Sequence, residues 1–536
     1  MPSGVVVNSI TEHHLFHEHP HEGLRGHIST GGGSNNHQAA IHSGFEYGFK
    51  NWMIWGTAGR QIAGDYYSPA GRVENSKTRL TSGSLGLGWF GEKPFFNLTY
   101  SANRGRFGVP YAGEFHEQEG KEESRGPDWY GLLARWNHEG LDPEEGHNAI
   151  LVDETFCWQN LRWNAGIREL PHFIEKVRFS GAFTRWMHHE VENGNIIATT
   201  FDNRAFQFRG VFDQRKTRRW NGSLGFQAMY RNYQAEGEEA LSPPVDQSGF
   251  ALFGLQEMDY QKVKFQFGGR LDHTSYDPHE LRSRSYTGFS AAAGVRVHLL
   301  RDGAFVANYN RAFRAPALEE LYNYGPHVGN LAFEIGNPNL KKETGDGLDF
   351  SLRHDARRLR GEWNLFFYRL GSFVYMAPTG GQHHGLTIVN FLQEDARFLG
   401  TEAGLDLNLH PMLWLNLGLD TVRTRLLRSD VPLPRIPPLR ARLGFDFRYR
   451  GLSLRPELLL AGAQDRLFHQ ETRTAGYSLI GLNASYTIPR RHATQVLSVS
   501  TFNLADRLYR NHCSFLKELA PEMGRGVRIN YSIHFY

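Results

Sequence analysis

The chain closes with GRGVRINYSIHFY, residues 524–536. Val527, Ile529, Tyr531, Ile533 and Phe535 alternate there with Arg528, Asn530, Ser532 and His534. A period of two puts the apolar set on one face of a β-strand and the polar set on the other. The strand then stops on two aromatics, where a soluble sheet is expected to trail a few polar residues. A closed barrel in a bilayer accounts for such an ending. Its last strand pairs with its first, the apolar row faces lipid and the polar row faces the lumen. Phe535 then belongs to the aromatic girdle at the interface, and Tyr536 is one residue extra and out of phase.

The same alternation recurs along the chain. In ARLGFDFRYR (441–450), Leu443, Phe445, Phe447 and Tyr449 oppose Arg442, Asp446, Arg448 and Arg450. In 404–420, Leu405, Leu407 and Leu409 lead through His410-Pro411 to Leu413, Leu415, Leu417 and Leu419. About two dozen such segments of roughly ten residues occur, the length a tilted strand needs to cross a bilayer. Short connections such as His410-Pro411 and Arg450-Gly451 alternate with long polar ones at 116–128, 234–247 and about 314–342. Short turns on one side and long loops on the other belong to an outer-membrane barrel. The best helical fragment, PALEELYNYG (316–325), lies inside a long loop.

Composition agrees. The chain has 536 residues, 58 glycines and 13% aromatics, and its mean hydropathy is -0.49. No run of about 18 apolar residues exists, which excludes membrane-spanning helices. A chain polar on average yet rich in glycine and aromatics fits alternating membrane strands. A formal charge of +3 argues against nucleic acid as a partner. A propeller would show a motif repeating every 40–50 residues or so, and none is found. Cys157 and Cys513 offer no CxxC pair, and their spacing does not say whether they join. The fold class expected is therefore all-β, a transmembrane antiparallel barrel. The final strand, 526–535, should meet the first near 24–31. Val527, Ile529, Ile533, Leu443, Phe445 and Phe447 should lie outside.

NYNRAFRAPALEELYNYGPHVGNLAFEIGNPNLKKETGDGLDFSLR, residues 308–353, resembles the most recognisable segment of TonB-dependent outer-membrane receptors. The matching positions are Phe313, Arg314, Pro316, Glu320, Leu321, Tyr322, Gly336, Asn337, Pro338, Leu340 and Glu343. Three further blocks agree in order, at 268–276, 395–405 and 500–526. The resemblance implies a barrel of about 22 strands over residues 24–536, carried by a Gram-negative outer membrane. It also likens PSGVVVNSIT (2–11) to the last plug strand, through Gly4, Val6, Val7, Asn8, Ile10 and Thr11. Residues 1–15 would then be a plug remnant and 16–23 a His-rich junction, with the plug domain nearly absent. No secretory signal is visible at the start.

What the resemblance implies for function is active import of a scarce metal or metal chelate (siderophore-iron, zinc or haem), energised through TonB. The alternatives are a plug-less passive pore, a degenerate fragment, or a surface adhesion or signalling receptor. Metal would be cargo, with no permanent cofactor, and a monomer is expected. Partners would be outer-membrane lipid, the TonB complex through the missing plug, and the outer-membrane assembly machinery. That machinery would read Tyr531, Ile533, Phe535 and Tyr536. No catalytic motif stands in a convincing context, so no enzyme is expected.

The histidines are the candidate metal ligands. His13, His14, His17, His19 and His21 fall within nine residues, among Glu12, Glu18 and Glu22. Neutral imidazole and carboxylate suit zinc, copper, nickel or iron, and the bland alternative is a solvated linker. His327, in a Gly-Pro-His turn, and the pair His383-His384 are further candidates in loops, and His188-His189-Glu190 ends a strand.

Overall fold

In a computed structural model the chain is described over residues 21–112, 151–237, 240–299 and 301–536. Twenty-two antiparallel strands close into one barrel, and two short strands of a loop hairpin join the same sheet. The first eight are β1 (Gly23–Gly33), β2 (Gln38–Phe49), β3 (Trp52–Ala63), β4 (Thr78–Phe90), β5 (Pro94–Gly108), β6 (Val152–Ile167), β7 (Ile174–Glu192) and β8 (Ile196–Gln214). Next come β9 (Trp220–Gly237), β10 (Val245–Tyr260), β11 (Val263–Pro278), β12 (Arg284–Leu299), β13 (Gly303–Arg314), β14 (Glu343–Asp355) and β15 (Leu359–His383). The last are β16 (Leu386–His410), β17 (Leu413–Leu426), β18 (Arg440–Tyr449), β19 (Leu452–Ala461), β20 (Tyr477–Arg490), β21 (Ala493–Phe502) and β22 (Gly526–Phe535). No helix among the described residues is long and apolar enough to cross a membrane.

Closure runs as expected. β22 pairs antiparallel with β1 from Gly26↔Phe535 to Gly33↔Arg528. The Phe535 ring lies over Gly26, where an added Cβ would stand 2.5 Å from its Cζ. Glycine is therefore required at Gly26 for the last aromatic to seat.

Apolar side chains remain exposed in alternating rows. Leu85, Phe289 and Ile529 are 63%, 59% and 52% exposed. Val527, Leu443 and Phe445 are exposed in the same fashion, and Ile533 and Phe447 continue their rows half-buried. Such rows are stable only against lipid, and residues of opposite parity face the lumen.

Every lower connection is short, among them 50–51, 261–262, 411–412 and 450–451. The upper side departs from the simple rule. The turns at 34–37, 193–195 and 384–385 are tight, and the extra length goes into strands instead. β15 and β16 have 25 residues each, more than twice the 9–11 or so that a membrane requires. The expected loop at 234–247 is likewise half strand, because β9 runs to Gly237 and β10 begins at Val245. Polar residues there satisfy their backbones by pairing above the bilayer. The expected plug remnant and most of the His-rich junction lie outside the described residues, and β1 begins at Gly23.

Candidate functional site

The loop between β13 and β14, residues 315–342, folds into the barrel mouth. It begins with a five-residue helix, α1 (Leu318–Tyr322). Pro316 sets the entry, and the Glu320 carboxylate accepts the Ala317 N–H at 2.8 Å, satisfying a donor that α1 leaves free. Leu318, Leu321 and Tyr322 pack against Phe201 of β8, Tyr233 of β9, Val245 of β10, Tyr276 of β11 and Tyr286 of β12. The exposed rows on those strands are Phe206, Tyr230, Phe250, Leu271 and Phe289, all of the other parity. The helix therefore rests on the inner wall.

Arg314 clamps the ends of this loop. Its guanidinium donates to Glu343 at 2.6 and 2.7 Å and to Glu320 at 3.0 and 3.1 Å. Glu343 also accepts the Val374 N–H at 2.6 Å, beside a bulge in β15 where Ser372 has φ 53°. The Tyr276 hydroxyl donates to the Pro316 carbonyl at 2.7 Å, and that of Tyr286 to the Leu340 carbonyl at 2.9 Å.

Beyond α1 the loop forms a hairpin, Tyr324–His327 with Ala332–Ile335, and the second arm pairs in parallel with 387–390 of β16. His327 Nδ1 stands 2.8 Å from the Glu334 carboxylate, whose other oxygen accepts from Asn323 at 2.7 Å. Burial opposes the Glu334 charge, yet hydrogen bonds from His327, Asn323 and Asn330 outweigh it and hold the carboxyl below its ordinary value.

His327 also lies within electrostatic reach of Glu154 and His188, on the inner faces of β6 and β7. This hairpin, a strap anchored on β16, therefore extends toward a wall nine strands away. That wall consists of three rungs in register. Glu154 pairs with Glu190, Phe156 with His188 and Phe201, and Trp158 with Trp186 and Asn203. Phe156 stacks on Trp186 with centroids 5.6 Å apart, and His188 on Phe201 at 4.2 Å. Trp186 Nε1 donates to His188 Nδ1 at 3.3 Å. At the edge, Arg231 donates to Asn203 at 3.0 Å and to Glu319 of α1 at 3.2 Å.

Of the histidines singled out in the sequence, His13, His14, His17 and His19 lie outside the described residues. His21 Nδ1 stands 3.7 Å from Glu46. His383 ends β15 and His384 opens the turn to β16, with ring centroids 4.3 Å apart, and the His383 ring lies 4.4 Å from that of Phe333 in the strap. His189 is split from His188 by strand alternation and contacts Thr200 at 2.9 Å. Among the described residues no three His, Cys, Asp or Glu side chains are placed to hold one metal ion. Cys157 and Cys513 are free thiols. Tyr531, Ile533 and Phe535 lie along β22, and Tyr536 follows it, 60% exposed. Glu154, Phe156, Trp158, Trp186 and Phe201 were not singled out. Their signal was present: aromatics on the inner-facing parity, where polar residues are the rule.

The TonB dependent receptor-like, beta-barrel family model matches residues 29–504. Among solved structures the chain is similar to the copper transporter OprC, with a TM-score of 0.80 and 19% identity over 96% of this chain and 81% of that one. It is similar to the FrpB iron transporter from Neisseria meningitidis (F3-3 variant), TM-score 0.73 and 14% identity, over 96% and 82% of the two chains. It is also similar to the Serratia marcescens hemophore receptor HasR, solved as a double mutant with its hemophore HasA and heme. There the TM-score is 0.72 and the identity 14%, over 96% and 81%. At these identities the likeness is one of fold. The family match spans most of the barrel, and the chain belongs to the TonB-dependent receptors, β-barrel proteins of the Gram-negative outer membrane.

Proposed function

We propose that this chain imports a scarce metal, carried as a chelate, with energy coupled through TonB. The observation that carries the reading is the wall beneath the strap. The Phe156–Trp186 and His188–Phe201 stacks offer flat faces to an aromatic or planar chelator. His188 and His327 add imidazoles, and Arg231 stands at the edge for an anionic group. Such a surface suits ferric chelates with aromatic donors, or haem, better than a bare ion. A bare ion needs three or four converging ligands, and the wall does not close three around one point. The neighbours named for copper, iron and a haem-carrying hemophore support a metal cargo in general. Affinity would come from the loops, with the strands as a rigid frame.

Occupancy of the wall is read from the share of tryptophan quenching that is lost in Trp158→Phe and Trp186→Phe. The refolded chain is titrated with haem, a ferric catecholate, a ferric hydroxamate and zinc. Saturable quenching by one of the iron species is expected. Truncating an aromatic anchor costs about 2 kcal/mol or more, or roughly 30-fold in affinity. Trp186→Ala and His188→Ala should weaken binding by that order. Equal affinity in both variants would remove the wall from the function. Binding of a cobalamin or an oligosaccharide in place of every metal species would change the cargo class.

A further inference from the structure

A second group of histidines lies at the opposite end of the lumen, on the seam where the barrel closes. His27 of β1, His42 of β2 and His534 of β22 come from the first two strands and the last. Their parity is the inner one. Leu24 and Ile28 on β1, Ile41 and Phe45 on β2, and Val527 and Ile529 on β22 form the exposed outer rows. His27 sits directly opposite His534 in the ladder, and His42 lies one strand over, opposite Ser29.

The three rings are close. His27 Nε2 stands 3.1 Å from His42 Nδ1. Ring centroids are 5.1 Å apart for His27 and His42, and 5.6 Å for His27 and His534, with interplanar angles of 23° and 25°. Two glycines clear the ground beneath them. A Cβ at Gly44 would stand 2.6 Å from His27 Cε1, and one at Gly59 would stand 3.0 Å from His42 Cδ2. The backbone is thus bare where the His27 and His42 rings lie. One rung above, Ser29 donates to Asn530 at 2.9 Å and ties the same two closing strands.

We infer that His27, His42 and His534 form a binding site for a divalent transition-metal ion of the zinc, copper or nickel class. Two imidazole nitrogens on a tetrahedral ion, each at about 2.0–2.1 Å, stand roughly 3.3 Å apart. The His27–His42 pair already has that bite. A proton now bridges the two nitrogens, and a cation replaces it once the N–H of the donor ring moves to its other nitrogen. His534 supplies the third nitrogen by turning about its side-chain bonds, since no three ligands are closed around one point as placed. A water or other small donor would complete the tetrahedron. The ion would bridge the first and last strands. The site stands on its own geometry and does not rest on the transport reading.

The test is calorimetric titration of the folded full chain in detergent with zinc. It is done in a background carrying His13→Ala, His14→Ala, His17→Ala, His19→Ala and His21→Ala, so that the N-terminal histidines cannot contribute. One zinc per barrel is expected to remain. Loss of a group that merely supports a ligand weakens a metal about 10–100-fold, so loss of a ligand should cost at least as much. His27→Ala and His42→Ala should both show it, with His27→Gln and His42→Gln as versions that keep a hydrogen-bonding side chain. Heat-shifted migration on a gel establishes that each variant is a closed barrel. With copper(II) in place of zinc, the resonance spectrum should lose one coupled nitrogen in His534→Ala. No zinc in the five-alanine background, or zinc affinity unchanged by either His27 or His42 substitution, overturns the site.

Discussion

Arg314 has both edges of its guanidinium occupied, by Glu343 and by Glu320. Glu343 is 1% exposed, so removing its cation leaves a buried charge with only the Val374 N–H to compensate it. The cost of that is about 3–5 kcal/mol. Arg314→Ala should therefore release residues 315–342, seen as accelerated hydrogen exchange there with the barrel strands still protected. Arg314→Lys should fail to restore protection, because an ammonium cannot fork to two carboxylates. Native exchange in Arg314→Ala would count against the clamp. Glu334 adds a dependence on acid. Its folded carboxyl titrates below the ordinary 4.5, so its contribution is complete above that value and is lost as pH falls beneath it. The Arg-x-Pro and Glu positions were legible as a motif. Their job as one clamp was not, because Arg314 and Glu343 stand 29 residues apart in the chain.

The loop 503–525 is the second anchored element of the upper rim. Its His512 is 2% exposed, and its Nδ1 lies 2.8 Å from the Thr474 hydroxyl of the neighbouring loop. Glu471 stands 3.7 Å from Nε2, and Lys517 hydrogen-bonds Thr474 at 3.4 Å. Burial, with Lys517 beside it, pushes the imidazole below its ordinary 6.5. The unlatched loop then takes up a proton before the latched one does. The latch is at full strength above pH 6.5 and weakens as pH falls below it. Limited proteolysis of 503–525 should quicken between pH 7.5 and 5.5, and His512→Asn should flatten the change. The same rate at both pH values in the unaltered chain would refute the latch.

Closure ties these elements into one molecule. Residues 533–535 pair with β1 on one side and β21 on the other. Removing Ile533, His534, Phe535 and Tyr536 exposes two strand edges, and an open edge in hydrocarbon costs several kcal/mol per unpaired group. That deletion should leave no heat-shifted folded band and no outer-membrane protein on fractionation. Normal levels of the truncated chain would contradict a closing role for the terminal strand.

The alternation of Val527 to Phe535, repeated along the chain, determined the barrel and its lipid-facing rows, because strand periodicity is a local property. The same local rule placed His188 and His189 on opposite faces. Tertiary structure alone decided which inner-facing residues meet. His327 comes within electrostatic reach of Glu154 and His188 because the loop between β13 and β14 folds against the inner wall. His27, His42 and His534 meet because the chain's two ends share a seam. Side-chain parity is written residue by residue, whereas proximity across a lumen depends on register, strand count and the course of a folded loop.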